Sequence, residues 1–180
     1  VLTLGGSQLF DTDHNDASVV YAYALGRLLG GEVGVVGFGY NALTHRGSGG
    51  VAPLGEAWNM LWEGVPRSFP DPKPDLIVLN EGTNDGCDTV SPGCVGTNIT
   101  AQLMAVLRDL LGACPGVPIA VLLPFNGGQA AHIRAAIKAV ASPDILFVDT
   151  TGFYNLKYGG SLHPTGPNDI AQIAPRIAQK

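Results

Sequence analysis

Asp75-Leu76-Ile77-Val78-Leu79-Asn80 runs without a break into Glu81-Gly82-Thr83-Asn84-Asp85, and this junction decides the fold. Leu76 to Leu79 is a continuous apolar run with no polar alternation, the pattern of a strand covered on both faces. Such strands belong to parallel sheets flanked by helices. The run ends in a polar, glycine-containing segment, so it delivers Asn84 and Asp85 to the C-terminal edge of the sheet. In open α/β sheets that edge is where ligands bind.

The same grammar repeats on either side. Val1 to Leu4 reads as a strand that breaks at Gly5-Gly6 and places Ser7 just beyond. Val33 to Val36 reads as a second, ending in Gly37-Phe38-Gly39. Pro118 to Leu123 and Ile145 to Val148 supply two more after the central one. Helices are expected between them. One is capped by Asp16, runs to Leu29 and stops at Gly30-Gly31, burying Val19, Val20, Tyr23, Leu25 and Leu28. A second covers Leu54 to Trp62, with Trp58 and Trp62 at the i, i+4 spacing of one buried face. Others span Thr97 or Asn98 to Leu111, Gln129 to Val140, and Pro167 onward, proline suiting a first helical turn. Strand–helix alternation gives an α/β fold with a five-stranded parallel sheet, and right-handed crossovers leave few topologies, of which the flavodoxin-like order 2-1-3-4-5 is expected. Repeats and long internal linkers are absent from the sequence, so residues 1–180 are expected to form one domain.

Composition narrows the function classes. The chain has 180 residues, 46% hydrophobic and 14% charged, which is enough for a full core. Its net charge is −5 with no basic run, which argues against nucleic acid or an anionic membrane surface as partner. No apolar run is long enough for a membrane span. Neither a signal peptide nor a targeting segment is read, as expected of a mature or excised domain. Cys87 and Cys94 flank a short loop-like stretch and can close a disulfide, leaving Cys114 at a helix end. With the glycosylation acceptor pattern Asn98-Ile99-Thr100, this points to an extracellular protein, reduced cysteines in a cytosolic one being the alternative. A monomer is expected.

The chemistry-bearing residues fall at equivalent places. Ser7 follows strand one, Gly39 strand two and Asn84 strand three; His163 follows strand five and precedes the last helix. All four can converge on one pocket at the sheet edge. Ser7 is a candidate nucleophile and His163 the base that takes its proton. The N–H groups of Ser7 and Gly39, with the side-chain amide of Asn84, can stabilise an oxyanion. Gly39 suits this role because a residue without Cβ lets an acyl group approach the backbone. Asp11-Thr12-Asp13-His14-Asn15-Asp16 lacks an ordered ligand spacing and reads as a solvated loop and helix cap. Neither a metal nor a cofactor is expected, and no nucleotide-binding glycine pattern is present. His45, near Arg46, can line the pocket rim, and His132 reads as a surface residue.

These motifs resemble those of the SGNH hydrolases, or GDSL esterases, over nearly the whole chain. Gly5-Gly6-Ser7 resembles the Gly-Asp-Ser block and Gly37-Phe38-Gly39 the second block, whose glycine donates to the oxyanion. Gly82-Thr83-Asn84-Asp85 matches the third block as written. Leu162-His163-Pro164 resembles the last, usually Asp-x-x-His-Pro. The resemblance implies a three-layer α/β/α sandwich and hydrolysis of esters, often acetyl or other acyl groups on carbohydrates, lipids or small molecules. Two positions depart from the pattern. Gly6 stands where the family has aspartate before the nucleophile, and Gly160 stands at the triad acid. A Ser7–His163 dyad is therefore expected, with a backbone carbonyl or another carboxylate, Asp149 being a distant choice, holding the ring. The alternative is a binding module on the same fold that keeps a sugar or acyl ligand after catalysis has weakened.

Overall fold

The computed structural model describes residues 1–5, 17–67, 72–85, 99–153, 164 and 167–180, with residues 17 and 167–171 described by backbone alone. Its sheet is built from β1 (Leu2–Gly5), β2 (Gly34–Gly37), β5 (Ile77–Asn80), β6 (Ile119–Leu122) and β7 (Ile145–Val148), in the order β2-β1-β5-β6-β7. Every pairing in this sheet is parallel. With the separate hairpin of β3 (Met60–Trp62) and β4 (Val65–Pro66) set aside, this is the expected order 2-1-3-4-5.

Helices cover both faces. Alternate side chains of the central strands divide between two cores, as the period of a strand requires. On one face Leu2, Leu4, Ile77, Leu79, Ile119 and Val121 pack with α2 (Leu54–Ala57), α3 (Ile99–Ala113) and α4 (Ala130–Val140). On the other, Val78, Ala120, Leu122 and Val148 pack with α1 (Tyr21–Leu28) and α5 (Pro167–Ala178). The three-layer α/β/α sandwich is therefore present.

Two expected helices are corrected. Helix α1 begins at Tyr21, after a 3₁₀ turn over Ala17–Val19, and Val20 precedes it without a side-chain cap; Asp16 lies outside the described residues. Its buried residues are Tyr21, Ala22, Leu25 and Gly26, whereas Tyr23 and Leu28 are exposed. The expected stop is found. Gly30 N–H donates to Arg27 O at 3.2 Å and Gly31 N–H to Gly26 O at 3.0 Å, the paired bonds of a Schellman motif.

The second correction is larger. Helix α2 ends at Ala57, and the chain then turns into the β3–β4 hairpin. Trp58 is 5% exposed and belongs to the core, but Trp62 is 66% exposed on β3. The i, i+4 spacing of the two tryptophans therefore does not mark one buried face. Gly64, at φ 76°, sits in the hairpin turn, and Pro66 has no N–H to continue a helix.

Candidate active site

Sheet register sets the site. Gly5 at the end of β1 pairs with Gly37 on one side and Asn80 on the other. The loops that leave β2 and β5 thus start level with the end of β1, flanking it. One loop carries Phe38 to Pro53, the other Glu81 to Asp85.

A buried carboxylate fastens the two loops together. Asp85 has no solvent exposure. Its Oδ2 accepts the Leu43 N–H at 3.0 Å, and its Oδ1 accepts the Thr44 N–H at 2.9 Å and the Thr44 hydroxyl at 2.7 Å. An ionised carboxylate is an acceptor only, and each of these contacts supplies it a donor. The neighbouring residue makes the next link: Asn84 Nδ2 donates to Asn41 O at 2.8 Å. His45 adds a third, its Nε2 lying 2.8 Å from Asn84 O and its Nδ1 3.0 Å from Arg46 O. A neutral ring donates to only one of these carbonyls at a time. Tyr40 lies against the same ring at 5.2 Å between centroids.

The strand-two loop is folded back tightly on itself. Ser48 N–H donates to Gly39 O at 2.7 Å, and Asn41 Nδ2 donates to Ala52 O at 2.9 Å. Gly47 makes this return possible. A Cβ there would sit 2.9 Å from Gly39 O and 3.1 Å from Asn41 N, both backbone atoms that cannot move aside cheaply. At Gly39 itself a Cβ would meet Ser48 Oγ at 3.5 Å, an ordinary contact. The loop therefore does not demand glycine at position 39.

Among the described residues, this arrangement leaves two N–H donors unspent. The Asn84 amide has two N–H groups and gives one to Asn41 O. Among the described residues, neither the second nor the N–H of Gly39 has an acceptor. Preorganised donors of this kind, fixed by other bonds, are what an oxyanion site requires.

Beneath the two loops lies a buried polar layer. Glu81 is 4% exposed. Burial, reinforced by the nearby Asp85, pushes its carboxyl well above the usual carboxylate range, with the Gly82 backbone bond pulling the other way. Asn80 Nδ2 donates to the hydroxyl of fully buried Tyr21 at 3.0 Å. Burial raises that hydroxyl above the ordinary phenol range, the Asn80 bond opposes the rise, and Glu81 adds to it. Among the described residues, Asn41 Oδ1, Asn80 Oδ1 and Glu81 Oε1 are buried without a hydrogen-bond partner. Gly82, at φ 116°, turns the chain from this layer to Asn84; a Cβ there would lie 3.3 Å from Pro124 Cγ.

Of the expected site residues, Gly39 and Asn84 are brought to one loop cluster. Ser7 and His163 lie outside the described residues, as do Gly6, His14, Cys87, Cys94, Asn98 and Gly160. Cys114 is a free, buried thiol, raised by burial. Asp149 is engaged locally: Arg134 donates to Oδ2 at 3.0 Å, and the Thr151 N–H and hydroxyl donate to Oδ1 at 3.0 and 2.6 Å. These bonds, the Thr151 hydroxyl first, hold its carboxyl below the usual range. His132 is exposed and pairs with the Thr100 hydroxyl at 2.9 Å. Sequence reasoning gave no role to Asp85, Asn41 or Glu81. An aspartate directly after the strand-three turn is the one available signal, because Asp favours binding backbone N–H groups over lying free in a loop. Among the described residues, no helix is long and apolar enough to cross a membrane. No group of three or more His, Cys, Asp or Glu among them is placed to hold a metal.

No sequence-family model matches the chain, and no curated protein does. Solved structures do match. A family two carbohydrate esterase from Cellvibrio japonicus superposes with a TM-score of 0.79 at 19% identity, covering 99% of this chain and 58% of that one. The acetyl xylan esterase Est2A from Butyrivibrio proteoclasticus gives 0.73 at 17% identity, covering 99% and 62%. A putative lipolytic protein of the G-D-S-L family from Desulfitobacterium hafniense gives 0.65 at 12% identity, covering 99% and 97%. This chain thus spans about three fifths of the length of those two carbohydrate esterases. The fold is shared with both carbohydrate esterases and with the G-D-S-L protein, as the resemblance to SGNH hydrolases implies.

Proposed function

We propose that this chain is a serine esterase that hydrolyses acyl esters, short acyl groups on carbohydrate above all. Ser7 Oγ attacks the acyl carbonyl while His163 takes its proton. The resulting oxyanion is held by the N–H groups of Ser7 and Gly39 and by the second N–H of Asn84. Collapse expels the alcohol, which receives the proton from His163. Water, deprotonated by the same ring, then releases the acid and restores Ser7. The observation that carries the reading is the clamp: Asp85 and Asn41 fix the Asn84 amide beside the Gly39 loop with donors left over. The carbohydrate preference is supported by the activities named for the structural neighbours.

The test is release of p-nitrophenol from p-nitrophenyl acetate by the wild-type protein and by Ser7→Ala. The reading requires turnover in the first and its abolition in the second, with the melting temperature unchanged. Full activity in Ser7→Ala would exclude it. Gly160, in place of a triad acid, favours one other reading, a sugar- or acyl-binding module on this fold. Binding without turnover would establish that reading. A single domain, an extracellular location, a Cys87–Cys94 bridge and a monomeric state belong to the same proposal.

A further inference from the structure

The β3–β4 hairpin and the strand-two loop border a groove of about 380 Å³. Its walls include Phe38, Arg46, Glu56, Leu61, Trp62 and Glu63. Phe38 immediately precedes Gly39, and Arg46 follows His45, whose ring contacts Asn84 O. One loop thus carries both residues of the groove wall and Gly39. We infer that this groove binds the sugar chain bearing the ester, a neutral oligosaccharide laid across Trp62.

Three features of the groove point to that occupant. The first is apolar exposure that no described element covers. Trp62 is 66% and Leu61 53% exposed on a two-stranded hairpin, although the core tryptophan of the same stretch, Trp58, is only 5% exposed. An indole offers a large apolar face with a polar handle. A pyranose ring has a complementary apolar C–H face and a rim of hydroxyls. The second feature is charge. Arg46 sits 3.9 Å from Glu63, and Glu56 adds a second carboxylate to the lining. Carboxylates would repel a phosphate, and the guanidinium would repel a cation. Acceptors and donors together match a neutral polyhydroxyl ligand, whose hydroxyls both give and take hydrogen bonds. The third is clearance. Gly49, Gly50 and Gly64, at φ 73°, 81° and 76°, line the groove without side chains, and a Cβ on any of them would meet nothing within 4 Å. The volume falls within the range of small-molecule sites, about 300–1,000 Å³.

This inference rests on the esterase reading for its link to the ester, and the experiment separates the two. The chain has two tryptophans, one buried and one exposed, so an emission change on ligand binding reports Trp62. Unacetylated xylohexaose is titrated into the wild-type protein by fluorescence, and into wild type, Trp62→Phe and Trp62→Ala by calorimetry. A blue shift is expected in wild type, with binding weakened in Trp62→Phe and lost in Trp62→Ala. In parallel, kcat/KM for acetylated xylohexaose divided by kcat/KM for p-nitrophenyl acetate is expected to fall about tenfold in Trp62→Ala, a 1.4 kcal/mol effect. Turnover of p-nitrophenyl acetate with no emission change and an unaltered ratio would overturn the groove and leave the esterase standing. Sugar binding lost in Trp62→Ala, in a protein that turns over neither ester, would keep the groove as a sugar site and remove the esterase. An emission shift that follows protein concentration without sugar would assign the groove to a second copy and overturn the inference.

Discussion

Replacing Asp85 by asparagine should cost both stability and turnover, for separable reasons. Three donors converge on this carboxylate: the Leu43 N–H on Oδ2, and the Thr44 N–H and hydroxyl on Oδ1. Asparagine keeps one oxygen and can retain the Thr44 pair as weaker neutral bonds. Its NH2 then faces the Leu43 N–H, donor against donor, at a residue with 2% exposure. A hydrogen bond to a charged group contributes about 1.5–3 kcal/mol, and a buried orphan donor costs a further ~1–3 kcal/mol. Removing a buried charge returns part of its desolvation cost, which leaves a net loss of about 2–4 kcal/mol. For a chain of this size that corresponds to a drop of about 4–16 °C in Tm. The loop at 41–45 should also loosen its hold on Asn84, so kcat should fall more than KM rises. The assays are urea denaturation followed by far-UV circular dichroism and ester hydrolysis well below the midpoint. Thr44→Val should cost less and should not add fully to Asp85→Asn, because both remove the same hydroxyl–carboxylate bond. An Asp85→Asn protein within about 0.5 kcal/mol of wild type would refute the clamp.

Three other outcomes follow from the site. Asn84→Ala should lower kcat by roughly a hundred- to a thousand-fold with little change in KM, and a rise in KM alone would restrict Asn84 to ground-state binding. Gly39→Ala should melt within about 2 °C of wild type, because its Cβ would only touch Ser48, yet lose kcat/KM; unchanged activity would show that no acyl group approaches there. Glu81 sets a pH dependence. Its carboxyl is raised in the folded chain, so above about pH 4.3 the folded state holds a proton that the unfolded state has released. Stability should therefore fall as pH rises, by at most about 1.4 kcal/mol per unit, until Glu81 ionises in the fold. Glu81→Gln should lack this slope and gain on wild type as pH increases. Parallel curves for the two proteins would contradict the assignment.

The sheet was legible because its strands are apolar runs buried on both faces. Ile77, Val78 and Leu79 have 0–1% exposure, and no periodicity competes with that reading. The connections narrowed the strand order without settling it, since parallel strands joined by helices leave few topologies, and the expected 2-1-3-4-5 is the one found. Amphipathic stretches were harder. Trp58 and Trp62 share the spacing of a helix face, but the helix ends before either, and the second tryptophan stands out on a hairpin. Tyr23 and Leu25 stand about 200° apart on any α-helix, so they cannot share a buried face, and with Tyr21, Ala22, Leu25 and Gly26 inside, Tyr23 and Leu28 turn outward. The site divides the same way. Gly39 and Asn84 could be placed from strand ends alone. The bonds from Asp85 to Leu43 and Thr44 cross 42 and 41 positions of sequence and leave no local pattern. Burial of Glu81 was equally hidden, because an acid after a strand ordinarily lies in solvent.

The central claim is that Ser7, Gly39 and Asn84 surround one reacting carbonyl. A crystal structure of the protein inhibited by a p-nitrophenyl alkylphosphonate tests it directly. The account predicts a covalent bond from phosphorus to Ser7 Oγ, with the phosphonyl oxygen within about 3 Å of Gly39 N and Asn84 Nδ2 while Asn84 still donates to Asn41 O. An adduct on another residue, or one on Ser7 whose oxygen points away from both donors, would contradict it.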